Sequence, residues 1–573
     1  MSALPQDIPT TDLDSDVETL ARNKQKWAQT SISERIEILA QIKDQLLEVA
    51  ADWAKIASTH KQIPPGSPLE GEEWTSGPYA VMSACNALML TLSQVQDKEY
   101  LGELKNHAVG DGQLAVRVLP HSVWDHLLFS GIKADVWMKS GVTAANLHEF
   151  TASAYDAPEI DRQGSLCLVL GAGNIAAIAP LDCFQKLFSE HSVVLLKMNP
   201  VNDYLVDVLE KALKPLIDFG ALRIVRGGAD VGEYLCNHPS VETIHITGAG
   251  ASHDAIVWGM GEQGVKNKRQ GTPRNTRQIT SELGAVCPTI VVPGPWTKAD
   301  IRFQSEQVAT QKLHNSGFNC VACQMLLMPE QWEQRDDFLT TLKSTIATAP
   351  ERGLYYPGTE QRIGDFVAQY PSVDDLSGTG RIVVDIPRSI DPQYAEESEV
   401  FAPVLGVTDV EGTDAETYLR NAVAYCNDNL HGTLGANIII HPRTRQALGE
   451  KWNSIIRDLK YGCIAINAWT GLGFLTVQTP WGAFPGHTPD DIQSGAGFVH
   501  NTFMFDRAER TVVEAPFRPF PRNLLHGSAT LLPKPPWFVT NKKAGILGRL
   551  LTRFQHKPGF LKIPRIFLNA LLG

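Results

Sequence analysis

Near its start the chain sets apolar residues at helical spacing. Ile32, Ile36, Leu39, Ile42, Leu46, Val49, Trp53 and Ile56 fall on an i, i+3, i+4 pattern, so residues 16–59 are expected to be amphipathic helix. From about residue 165 the texture changes. Short apolar runs (SLCLVLGAG, SVVLLKMN, LRIVRGG, VETIHITGAG) alternate with helical segments, and a second set follows from residue 289 in TIVVPG, CQMLLMP, RIVVDI, FAPVLGV, GANIIIH and GCIAINAW. Strands that read as continuous apolar runs and alternate with helices belong to parallel sheets covered on both faces. The pattern therefore predicts an α/β fold of two doubly wound lobes, with Glu282 and Cys320 near their junction.

Candidate chemistry centres on HNSGFNCVACQ, residues 314–324. A thiol in a turn of small and amide residues can act as a nucleophile where nearby dipoles favour its thiolate and a base stands within reach. Cys320 is that thiol. Around it, in chain order, lie GAGNIAAIAP (171–180), VVLLKMNP (193–200), IHITGAG (244–250), ITSELGAVCP (279–288), ESEVFAPVLG (397–406) and TPWGAFPG (479–486). GAGNIA imitates half of a dinucleotide fingerprint, but Ala176 takes its last glycine position and Lys197 stands where an acid is expected, so a plain fingerprint is not read here.

In this order the motifs resemble the aldehyde dehydrogenase superfamily over roughly residues 20–500. The resemblance implies that Cys320 is the nucleophile, Asn174 a donor to the oxyanion and Glu282 the base that activates water. It also implies that Lys197, Thr247, Gly248, Glu399 and Phe401 bind a dinucleotide, NAD or NADP. Several positions depart from the family pattern. Pro200 replaces a ribose-binding acid, Ala285 and Ala402 replace glycines, Ala249 stands where serine is common, and Phe318 replaces a glutamine. The loss of the acid at 200 removes a group that would repel a 2′-phosphate. The loop NAWTGLGFLT (467–476) aligns with the border of the substrate entrance, and its Trp469, Leu472, Phe474 and Leu475 favour an apolar aldehyde.

Composition divides the chain unevenly. Its formal net charge is −12, yet after Glu514 the last 59 residues hold ten Lys and Arg and no acid. A net acidic body with dispersed cations gives no support to nucleic-acid binding. The nine cysteines show no disulfide framework, and the one C-x-x-C, Cys320 with Cys323, lacks the second ligand pair of a structural zinc, so a reducing compartment and no metal are expected. The polar, acidic start and the lack of a long apolar run point to the cytoplasm. The expected units are 1–281, N-terminal helices and dinucleotide-binding lobe; 282–485, the nucleophile-bearing lobe; 486–520, a return and bridging segment for oligomer assembly; and 521–573, the extension.

Within the extension, residues 515–538 read as an extended, proline-rich arm over a neighbouring subunit. Ile546, Leu547, Leu550, Leu551 and Phe554 recur at helical spacing beside Arg549 and Arg553, so residues 542–573 are candidates for peripheral membrane contact or for packing on protein. The resemblance further implies a homodimer or homotetramer. Two rival readings accompany hydrolytic oxidation: a CoA-acylating dehydrogenase, whose KxxP wording the segment ending at Pro200 resembles, and a non-catalytic member that binds a partner or nucleotide.

Overall fold

The structure is a computed structural model that describes residues 10–376, 378 and 380–573. The chain opens with helices Thr10–Ala28 and Ile32–His60, the second capped by Ser31, whose hydroxyl accepts the Glu34 backbone N–H. Leu39, Ile42, Leu46, Val49 and Trp53 form its buried stripe, while Ile32, Ile36 and Ile56 pack at the edge of the same core.

Two sheets follow. The smaller has six strands in the order Gly495–Ala496, Gln278–Leu283, Thr243–Gly248, Leu166–Leu170, Val193–Lys197 and Leu222–Val225. All neighbours are parallel except the pair made by Gly495–Ala496. The chain runs outward from Leu166–Leu170 in one direction, then restarts beside it with Thr243–Gly248. That reversal is the topological switch point, where doubly wound sheets open a ligand crevice at the carboxyl ends of their strands. The second sheet has eleven strands, with Cys287–Val291, Cys323–Pro329, Val404–Val410, Gly435–Ile439 and Cys463–Ile466 in parallel at its centre. Every apolar run of the sequence pattern lies in a strand of one of these sheets.

The unit boundaries need correction. The strand Gln278–Leu283 carries the first sheet past residue 281, so Glu282 stands on the dinucleotide-side lobe. The strands Lys105–Val109, Gln113–Leu119 and Lys133–Met138, placed with the N-terminal unit, instead extend the eleven-stranded sheet through Ala508–Glu514. Their partners lie hundreds of residues away, a pairing that no local pattern encodes.

The arm also lies elsewhere than expected. Residues 515–538 run over their own chain: Phe517 packs edge-on against Trp296 (5.4 Å), Phe538 stacks on Phe303 (5.2 Å), and Arg518 pairs with buried Asp300 (2.7 Å). The helix Ala544–His556 then turns its stripe inward, burying Leu547, Leu551 and Phe554 against Tyr79. Of the two readings of this stripe, packing on protein describes Leu547, Leu551 and Phe554, while Ile546 and Leu550 stay half-buried. No helix among the described residues is long and apolar enough to cross a membrane.

Candidate active site

The helix Lys298–Leu313, started by a capping box between Thr297 and Asp300, delivers the chain to the nucleophile turn. There Asn315, Ser316 and Gly317 take left-handed conformations in succession (φ 53°, 55° and 76°). A Cβ on Gly317 would lie 2.5 Å from the Ala402 carbonyl oxygen, so this approach requires glycine. The turn then presents Cys320, half-buried, just before the strand Cys323–Pro329.

The turn is held from three sides. The Asn315 backbone N–H donates to Glu72 (3.0 Å), whose carboxylate pairs with buried Arg352. Arg352 also faces Glu73, and Glu73 pairs with Lys61 (2.9 Å), itself fully buried. The Tyr355 hydroxyl and the Asn315 amide both donate to the Asn174 carbonyl (3.2 Å each). Asn174 in turn donates one amide N–H to the Phe318 carbonyl (3.2 Å). A carboxamide has two such N–H groups, and the second remains for a ligand.

Cys320, Glu282 and Asn174 line a single cavity of about 850 Å³ together with Lys197, Thr247, Gly248, Glu399 and Phe401. The structure thus gathers all eight singled-out residues at the switch point. Glu282 is buried and both its carboxyl oxygens lack a hydrogen-bond partner. Burial first, and then the charge of Asp182, push its pKa up to about 8. The Cys320 thiol and the Trp481 indole N–H face it and favour the ionised form, but neither closes a regular hydrogen bond. Glu399 is likewise pushed up to about 8, by burial, against a backbone N–H of Ala285 and the cation of Lys312. Its carboxyl lies over Gly284, where a Cβ would meet an oxygen at 1.8 Å. Burial and these two carboxyls push the Cys320 thiol well above its ordinary range. Formation of the thiolate is therefore opposed in the resting site.

The far end of the cavity suits a dinucleotide. Lys197 ends its strand inside the cavity, its pKa lowered by burial and supported by Asp230. Gly248 meets only Ile246 at 3.7 Å where a Cβ would stand, and Gly250 meets nothing within 4 Å. The helix Gly250–Trp258 begins there with no side-chain cap, so its first N–H groups stay open to a phosphate. The Thr247 hydroxyl, by contrast, donates inward to Asp182 (2.8 Å), so this residue borders the crevice through its backbone. The methyl group of Ala285 points away from the cavity, against Gly432 (2.8 Å from a Cβ there).

Several groups around the site carry no sequence motif. Asp182, buried beneath Glu282, also faces His245 (3.5 Å), which meets Thr280 (2.9 Å), and Lys186 donates to Thr280 (3.1 Å). Tyr356 packs edge-on to Phe401 (5.0 Å), both lining the cavity, and Tyr355 packs edge-on to buried Phe318 (5.0 Å). The pair GLYYPG was the one available signal, an aromatic pair in a glycine–proline loop. Beyond the nucleophile, Phe474 packs on Trp481 (5.6 Å) and His500 (4.6 Å). Leu472, Leu475 and Thr476 line a second, apolar cavity of about 220 Å³ with Trp124, Phe129 and Phe554.

The aldehyde dehydrogenase family model matches residues 193–352. The chain is 21% identical over 361 residues to 4,4′-diaponeurosporen-aldehyde dehydrogenase of Staphylococcus aureus, covering 58% of this chain and 69% of that one. It is 23% identical over 267 residues to D-glyceraldehyde dehydrogenase (NADP(+)) of Thermoplasma acidophilum, covering 42% and 50%. For a relative in Staphylococcus haemolyticus the chain spans 58% of the length at 24% identity. The solved structure of an NAD-dependent aldehyde dehydrogenase from Sinorhizobium meliloti superposes with a TM-score of 0.58, covering 89% of this chain and 88% of that one. At 17% identity that likeness is one of fold.

Proposed function

We propose that this chain, a member of the aldehyde dehydrogenase superfamily, oxidises an apolar aldehyde to its carboxylic acid with NAD or NADP, through a thioester on Cys320. The observation that carries the reading is the Glu282 carboxyl, its two oxygens unpartnered, facing the Cys320 thiol within the crevice that holds Lys197 and Gly248. A buried acid left without a donor costs free energy, and it is retained where its proton traffic is needed.

The Cys320 thiol gives up its proton to solvent and its sulfur adds to the aldehyde carbon. The free N–H of Asn174 and the Cys320 backbone N–H donate to the developing oxyanion, a contribution worth about 3–4 kcal/mol for one such donor. The bound nicotinamide supplies the hydride acceptor. With the hydride gone, Cys320 carries a thioester. The Glu282 carboxylate then takes a proton from water, the hydroxide adds to the thioester carbonyl, and the acid leaves as the Cys320 sulfur takes the proton held by Glu282. Lys197, Glu399 and Phe401 position the dinucleotide, and the rings of Tyr356 and Phe401 screen the site from water. The apolar cavity beside Leu472 and Leu475 supports an apolar substrate. A homodimer or homotetramer in the cytoplasm completes the proposal.

The test is direct. Purified protein is given decanal with NAD or NADP, with and without coenzyme A, and reduced cofactor is followed by absorbance. Free decanoic acid is the expected product. Decanoyl-coenzyme A as the product would replace hydrolysis by acyl transfer, and no cofactor reduction with any aldehyde would leave a binding protein.

A further inference from the structure

The end of the chain keeps an apolar face without a partner. The helix Ile563–Leu571 turns Ile566, Ile563 and Ala570 inward, onto the cluster around Tyr79 and Phe554. Its outer side and the turn before it expose Leu561 (97%), Phe560 (64%), Leu568 (59%), Leu572 (57%) and Leu571 (42%). Leu568 and Leu571 stand three residues apart on the helix, with Leu561 in the turn before it and Leu572 at its end, so these side chains form one patch rather than scattered exposures. Arg553, Lys557, Lys562 and Arg565 stand exposed around it. Lys562 also donates to the carbonyls of Arg553 (3.1 Å) and Lys557 (2.6 Å), which joins the turn to the end of the preceding helix. No acid occurs anywhere in residues 515–573.

We propose that this patch is a docking face for an anionic phospholipid surface. An apolar patch bordered by cations on a rigidly seated helix is the arrangement that lies in the headgroup region, with leucines reaching the acyl boundary and cations meeting lipid phosphates. A second copy of the chain is the weaker occupant. A symmetric self-contact would set the same cations face to face, and five apolar side chains fall short of the about 20–30 residues a side of a stable interface. The helix is too short to span a bilayer, so contact is peripheral. Phe560 touches Trp124 (ring centroids 4.6 Å), and Trp124 lines the apolar cavity beside Leu472 and Leu475. Docking would therefore set that cavity beside the lipid. Docking requires no turnover, so its test is independent of the dehydrogenase reading.

The experiment is co-sedimentation of the full chain with vesicles of phosphatidylcholine alone and of phosphatidylcholine mixed with phosphatidylserine, at low and high salt. Wild type is expected to pellet with the mixed vesicles, and less at high salt. The double variant Leu561→Glu, Leu568→Glu changes two exposed positions and should keep the wild-type melting temperature while losing about tenfold or more in vesicle affinity. Lys557→Ser with Arg565→Ser should lose the preference for the mixed vesicles. Wild type remaining in the supernatant with both vesicle types overturns the proposal. So does undiminished binding by the double glutamate variant, and so does a wild-type oligomer that falls apart in that variant without any vesicle binding.

Discussion

A thiol set between two buried carboxyls is a poor nucleophile until something changes its surroundings. Cys320 is pushed up by burial and by Glu282 and Glu399, and both acids are themselves pushed up to about 8, so at neutral pH the trio holds its protons. Activation must therefore come with ligand binding, through the positive charge of an oxidised nicotinamide. Cys320→Ser should abolish hydride transfer while the protein stays folded. Glu282→Gln should give a burst of about one reduced cofactor per site followed by slow turnover, measured by stopped-flow absorbance. The sign of the pH dependence follows from the acting form. Glu282 works as a carboxylate, which is the minority below pH 8, so the hydrolytic step should quicken by about tenfold per unit up to pH 8 and level above it. A hydrolytic step independent of pH between about 6 and 9 would remove Glu282 as its base.

Cofactor choice is also decided at single residues. Pro200 supplies no acid, but Asp230, from the helix Ala229–Asn237, is the charge that most supports Lys197. One acid beside one lysine should discriminate against a 2′-phosphate only modestly, with NAD preferred by less than about a thousandfold. Asp230→Asn should move the ratio of kcat/KM values towards NADP by about tenfold, since one partly screened repulsion is removed. Side-by-side titrations of the two cofactors measure both quantities, and an unchanged ratio in the variant would take Asp230 out of the ribose site.

At the scale of elements, the nucleophile turn is shaped by contacts from four distant segments, and two of them, around Glu72 and around Arg352 and Tyr355, carry no motif. Cys320, Glu282, Asn174 and Glu399 were legible because each sits in a short stretch whose local geometry demands particular neighbours, such as Gly317 in its left-handed turn or Gly284 beneath a carboxylate. Glu72, Arg352, Tyr355 and Asp182 were not legible, because an ion pair or a hydrogen bond between residues far apart in sequence leaves no periodic trace. The same reason hid the strands from Lys105 to Met138, whose place is fixed by pairing with Ala508–Glu514. Glu72→Gln tests the hidden part. Breaking one side of a buried ion pair leaves Arg352 without its full counter-charge, so stability should fall by about 3 kcal/mol, measured by denaturant unfolding. The amide can still accept from the Asn315 N–H, so turnover should drop less than stability suggests. Gly317→Ala should instead impair turnover strongly, because both its φ and the Ala402 carbonyl oppose a side chain there.

At the scale of the whole molecule, the extension belongs to the catalytic body. The helix Ala544–His556 lies directly on the short helix Glu70–Trp74, so close that a Cβ on Gly71 would stand 2.3 Å from the Ala544 carbonyl carbon. That short helix carries Glu72 and Glu73, which hold Arg352, Lys61 and the Asn315 N–H. A continuous path of packed and paired groups thus runs from the tail to the turn that presents Cys320. Ending the chain after Lys543 would uncover Tyr79, Trp124 and Phe129 and remove the Leu547, Leu551 and Phe554 side chains that fill the space between them. Each buried side chain of this size contributes about 1.5–3 kcal/mol, so the truncated chain should melt at a lower temperature. Hydrogen exchange should quicken around residues 70–79 and 314–320, because these segments lose the support of the tail while the crevice around Lys197 keeps its own. A truncated chain whose exchange rises only at its new end, with turnover of decanal unchanged, would show that the tail rides on the surface without bracing the site.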